Sequence, residues 1–115
     1  MKNIAVFITR SPDDALGTRE MIDMALVFAT FNCDVSIIFQ DEGVLWTELP
    51  EQPLGYPTSL KGKLESLALY DINNIIIHDE SLTKFPFVTP LLPAKIKTTR
   101  AIKLHCRDCD LLLEA

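Results

Sequence analysis

Glycine is scarce in this chain: four residues in 115, scattered at Gly17, Gly43, Gly55 and Gly62. No G-x-G-x-x-G and no Walker sequence is present, so dinucleotide and P-loop phosphate binding have no support. Cysteine is scarce as well. Cys33, Cys106 and Cys109 make an odd count, which does not suggest a disulfide framework. No run approaches the ~18 uncharged apolar residues of a membrane span. The apolar stretch that starts at Ile4 turns polar at Thr9-Arg10, too short for a secretory signal with its cleavage site. The expectation is a cytoplasmic protein with no membrane contact. One block lacks acids altogether. Residues 81–107 hold six Lys/Arg and no Asp or Glu, whereas residues 1–80 hold 5 Lys/Arg against 13 Asp/Glu. With a net charge of −5, the whole chain is a poor autonomous binder of nucleic acid, because phosphate neutralisation dominates such affinity. Lys95, Lys97, Arg100, Lys103 and Arg107 are expected to form an exposed positive strip, either a solvated face or a local docking surface.

What the chain does have is core-forming material. At 115 residues and 48% apolar composition it fits one domain, 1–115. Asn3 to Ile8 reads as a buried parallel strand. Thr18 is a plausible N-cap, and Met21, Ile22, Ala25, Phe28 and Ala29 trace a helix face running to Phe31. Met24, Leu26 and Val27 widen that face beyond one stripe, so the helix Thr18–Phe31 is expected to lie partly at a subunit interface. Val35 to Phe39 is a second strand, ended by a turn in which Gly43 can take positive φ. Residues 48–58 hold three prolines and a glycine and read as a loop; Ser59 could cap a short helix through Ala68. Asn74 to Ile77 is a third strand. Phe87-Val88 is a possible short strand, Pro93 starts a helix to about His105, and Leu111 to Leu113 closes the pattern. Alternating strands and helices predict a single-domain α/β/α sandwich with a mainly parallel sheet.

Few residues offer chemistry. Cys106-Arg107-Asp108-Cys109 has the spacing of a redox pair or half a zinc site. Reactive pairs usually sit at a helix N-terminus, where the dipole favours thiolate. This pair follows the last predicted helix, with Asp108 and Asp110 adjacent, which raises a thiol pKa. A zinc site would need two further ligands from Cys33, His78, His105 or carboxylates, and no metal or other cofactor is expected. Cys33 reads as a small buried hydrophobe. Asp13 and Asp14 have the placement of a receiver-domain acidic pair, with Asp79 near a phosphoacceptor position. No strand-terminal Lys is expected from the predicted strands, and loop solubilisers are the plainer reading. Trp46 lies near the edge where open α/β sheets bind ligands, as a contact or a loop anchor.

Three phrases in register carry a resemblance. Arg19-Glu20-Met21-Ile22-Asp23 opens the first helix, Asp41-Glu42-Gly43-Val44 follows the second strand, and Leu67-Ala68-Leu69-Tyr70-Asp71-Ile72 precedes the third. Together they resemble the TusC/DsrF family of the DsrE/DsrF/DsrH superfamily over nearly the whole chain. The resemblance implies a DsrE/DsrF-like fold and a role in persulfide sulfur relay, toward tRNA wobble-uridine 2-thiolation or intracellular sulfur oxidation. It also implies a heterohexamer with two copies each of TusB/DsrH-, TusC/DsrF- and TusD/DsrE-like subunits. Downstream sulfur-carrier proteins and, only indirectly, tRNA complete the implied partners. In such assemblies the carrier cysteine belongs to the TusD/DsrE-like subunit, near the end of its third-strand segment. That position falls on Ile77, beside His78, and isoleucine cannot hold a persulfide. A non-catalytic subunit is the resulting expectation, with no catalytic residue of its own. The alternative is a small thiol-dependent redox or sulfurtransferase enzyme using Cys106 and Cys109.

Overall fold

Asn3–Ile8 forms strand β1, apolar on both of its faces, as a strand flanked on both sides and covered above and below must be. The computed structural model describes residues 2–12, 15–48, 67, 70–72, 74–90 and 94–114. Along them follow helix α1 (Ala15–Thr30), β2 (Asp34–Phe39), a 3-10 helix (Asp41–Glu48), β3 (Asn74–His78), a short helix α2 (Asp79–Thr83), β4 (Lys95–Lys97), α3 (Thr99–Arg107) and β5 (Leu111–Glu114). The five strands lie in the order β4-β3-β2-β1-β5, and every pairing is parallel. The expected α/β fold with a parallel sheet is therefore the observed one.

Register divides the side chains between two faces. Val6, Ile37 and Ile75 pair across the sheet and point one way; Phe7, Ile38 and Ile76 pair and point the other. The first face carries the larger core, where Val6, Ile8, Ile37, Phe39 and Ile77 pack with Ile22 and Ala25 of α1 and with Trp46. The second is thinner: Ala5, Ile38 and Ile76 pack under Ile102 of α3. Topology explains the split. Parallel crossovers are right-handed, so a chain that steps from β1 to β4 and then returns to the far side of β1 places its last helix on the opposite face.

Four local expectations need correction. The first helix begins at Ala15, not at a cap on Thr18. Thr18 lies inside the helix with its side chain wholly buried, where packing outweighs its preference for a cap. Gly43 does not supply a positive φ; Asp41 does, at 54°. Gly43 answers a different need, developed in the Discussion. Phe87-Val88 is no strand: Val88 N–H closes a turn onto Phe85 O at 3.0 Å, and Phe85 meets Phe87 edge-to-face. Finally, the stretch read as one helix from Pro93 is divided. Ile96 pairs in register with Ile77, while Thr98, in extended conformation, accepts the Ala101 N–H at 3.1 Å and starts α3. That cap and the pairing with a distant strand override the local pattern. The expected loop at 48–58 and helix from Ser59 fall almost wholly outside the described residues, as do Asp13 and Asp14.

Candidate functional site

Open parallel sheets place ligands at the carboxyl ends of their strands, and a pocket lies there, on the α3 face. It has a volume of about 410 Å³. Strand alternation puts Phe7 near the end of β1, Gln40 just past β2 and His78 at the end of β3 on the same side. From α3 come Thr99, Ile102 and Lys103, then Cys106 and Arg107 one turn on, the i, i+3, i+4, i+7, i+8 set of one helix face. Leu112 of β5 closes the wall beside Phe7. A hydrogen bond fixes α3 over the sheet: His105 Nε2 lies 2.7 Å from the buried Ser36 Oγ.

His78 is the best-held polar group here. Its Nδ1 lies 2.6 Å from Ser81 Oγ and its Nε2 2.6 Å from Thr99 Oγ1. A neutral imidazole has one donor and one acceptor nitrogen, so it donates to one of these hydroxyls and accepts from the other. Ser81 Oγ also accepts the Asp41 N–H at 2.8 Å. One side chain thus ties the end of β3 to α2, to the 3-10 helix and to the start of α3. Both ring nitrogens are occupied, which suits a clamp better than a free base.

Ile77 points the other way, into the larger core, and is 1% exposed. A thiol there would be enclosed. The C-x-x-C thiols are held in the protonated form. Burial pushes Cys106 up from its ordinary value, and Cys109 adds to the shift. Cys109 is raised by burial and then by the Asp110, Asp34 and Asp108 carboxylates; its Sγ donates to His105 O at 3.7 Å. Asp34 is the contributor that local sequence does not reveal, because the sheet brings it from the start of β2. Alkylation of Cys106 and Cys109 by iodoacetamide should reach half its maximal rate above the ordinary thiol pKa, read by mass spectrometry across pH. Since unfolded thiols ionise first, their contribution to stability is full below that ordinary value and fades as pH climbs toward the folded one. Among the described residues no three His, Cys, Asp or Glu side chains gather as a metal site. Cys33 packs partly against the core, with its Sγ 4.0 Å from Phe31 O.

The other predicted residues disperse. Trp46 is fully buried on the opposite face and donates from Nε1 to Arg10 O at 2.7 Å, a loop anchor. Asp79 starts α2, where its Oδ1 accepts the Glu80 N–H at 2.7 Å. The basic residues are exposed except Lys97, which is half-buried; Arg100, Lys103 and Arg107 share one side of α3 and line a second, shallower hollow. Sequence reasoning missed Phe7, Gln40, Thr99, Ile102 and Leu112 as lining residues. The signal was available in part, since strand-terminal positions of a parallel sheet face the ligand end. On α1, Leu16, Met24, Val27 and the following Phe31 are exposed, Phe31 at 75%, so the second apolar side of that helix is real. No helix among the described residues is long and apolar enough to cross a membrane.

Comparison with known proteins adds family and fold. The family model described as the DsrE/DsrF-like family matches residues 2–113. The crystal structure of the YchN protein from E. coli is similar with a TM-score of 0.84 at 14% identity, each chain covered over 100% of its length. No curated protein matches the chain.

Proposed function

From the premise that this chain belongs to the DsrE/DsrF-like family, and so to proteins associated with sulfur relay, we propose that it is a non-catalytic, TusC/DsrF-like subunit of a sulfur-transfer complex. It supports persulfide relay, toward tRNA wobble-uridine 2-thiolation or intracellular sulfur oxidation, while a TusD/DsrE-like partner carries the sulfur. TusB/DsrH-like subunits complete the assembly. The observation that supports this most is at the end of β3. Ile77 is sealed in the core, and the neighbouring side chain that opens on the pocket is an imidazole fastened at both nitrogens. A sulfur carrier must be a reachable thiolate; neither residue can serve. The alternative, an enzyme using Cys106 and Cys109, is opposed by the upward shift of both thiols.

The test is the triple change Cys33→Ala, Cys106→Ser, Cys109→Ser, assayed by single-turnover transfer of labelled sulfur through the complex reconstituted with its companion subunits. Transfer should be retained, with a loss of stability of roughly 1–2 kcal/mol. A triple variant that folds and assembles yet loses transfer would overturn the non-catalytic reading.

A further inference from the structure

The pocket between α3 and the strand ends has a composition that assembly alone does not require. Its floor is apolar: Ile102 is buried, Phe7 half-buried and Leu112 54% exposed, so their hydrocarbon surfaces open onto the cavity. Its rim is cationic. Lys103 and Arg107 stand at i, i+4 on one face of α3, a like-charge spacing that destabilises a helix by a few tenths of a kcal/mol. Among the described residues neither cation is in an ion pair, although the chain as a whole carries an excess of acid. The helix dipole favours Arg107 in the last turn but does nothing for Lys103 midway along. Between rim and floor lie Gln40, Thr99, the doubly hydrogen-bonded His78 and a Cys106 thiol whose pKa burial pushes up. None of the residues that line the pocket is a carboxylate.

We propose that this pocket binds a small amphipathic organic anion, an aryl or alkyl carboxylate or sulfonate. Its apolar body lies on Phe7, Ile102 and Leu112, and its charged end lies between Lys103 and Arg107. A volume of about 410 Å³ falls within the range of small-molecule sites, about 300–1,000 Å³, where an apolar lining supplies affinity and a few polar groups fix orientation. An anion at the rim would receive charge-assisted hydrogen bonds from both cations and remove their mutual repulsion. A bare inorganic anion would leave the floor wet. A neutral apolar molecule would leave the cations unpaired.

The probe is 8-anilinonaphthalene-1-sulfonate, titrated by fluorescence against the native protein beside the uncharged N-phenyl-1-naphthylamine, with sodium sulfate as a competitor. One saturable site is expected for the sulfonate, about 10-fold or more tighter than for the neutral amine, with sulfate competing poorly. The double change Lys103→Glu, Arg107→Glu should weaken the sulfonate by about 10-fold or more and the amine by less than about 2-fold. Lys103→Gln with Arg107→Gln, which introduces no new charge, should shift affinity in the same direction. Amide shift mapping should place the sulfonate at Phe7, Gln40, Thr99 and Cys106. Equal affinity for the two probes, indifference to both double changes, or shifts centred on residues 24–31 of α1 would each overturn the proposal. Sulfur transfer is not read in this experiment, so its outcome is independent of the subunit's role in relay.

Discussion

Gly43→Ala should remove a large share of the fold's stability. The last carbonyl of β1, Ile8 O, accepts the Gln40 N–H at 3.0 Å, and the start of the 3-10 helix passes directly over it. A Cβ on Gly43 would lie 1.7 Å from that oxygen and 2.5 Å from its carbon. Both are backbone atoms of a central strand, so no flexible side chain can yield. Either β1 shifts out of register with its two neighbours, or the 3-10 helix lifts and takes the buried Val44 and Trp46 with it. Overpacking of this kind usually costs 1–3 kcal/mol, and without a relaxation path about 3–5 kcal/mol is expected. Against a typical total of 5–15 kcal/mol, that is a large fraction. A fall in Tm of about 15 °C or more should be seen by calorimetry. Asp41→Gly, at the positive φ, should instead stay within about 1 kcal/mol of the parent. A Gly43→Ala protein as stable as the parent would show that the close approach is not a constraint.

The second large effect is on assembly. In the assembly proposed above, Val27→Lys with Phe31→Lys should weaken association with TusB- and TusD-like partners by about 100-fold or more, the loss expected where two apolar anchors are removed from an interface. Leu16, Met24, Val27 and Phe31 leave an exposed apolar stripe on the side of α1 turned away from Ile22 and Ala25. Lysine is a good helix former and is favoured near a helix C-terminus, so the monomer should keep its stability within about 0.5 kcal/mol. Analytical ultracentrifugation of the mixed subunits, with circular dichroism of each variant alone, separates loss of assembly from loss of fold. A complex indifferent to both lysines would remove α1 from the interface.

The parts of the fold legible in sequence were those whose information is local. Ile4-Ala5-Val6 and Ile75-Ile76-Ile77 are apolar on consecutive positions, which only a doubly covered strand requires. The second apolar side of α1 was visible in Met24 and Val27. What escaped depended on contacts distant in sequence. Lys95–Lys97 has a strand's identity only because Ile96 aligns with Ile77. The turn context of Gly43 suggests a conformational requirement, but the constraint is steric, imposed by the carbonyl at the end of β1. The pocket followed the same rule: Cys106 and Arg107 drew notice by spacing, whereas Phe7, Gln40 and Leu112 join them only once the sheet order is known. The thiols' acidic surroundings were legible through Asp108 and Asp110 but not through Asp34.

The position of β5 beside β1 has a consequence for how the chain comes to be folded. Asn3 N–H donates to Asp110 Oδ2 at 2.8 Å across a separation of 107 residues, and the Asp110 N–H returns to Asn3 O at 2.7 Å. Among the five strands of this sheet, the first to be made therefore waits for the last. Until then it can pair with β2 on one edge only, and the backbone groups of its other edge stay open to whatever strand arrives first. Loop closure over such a distance is slow to reward, and an open apolar edge is a template for misassembly. Synthesis thus passes through a vulnerable interval that lasts until Leu111–Glu114 has been made and docks beside β1.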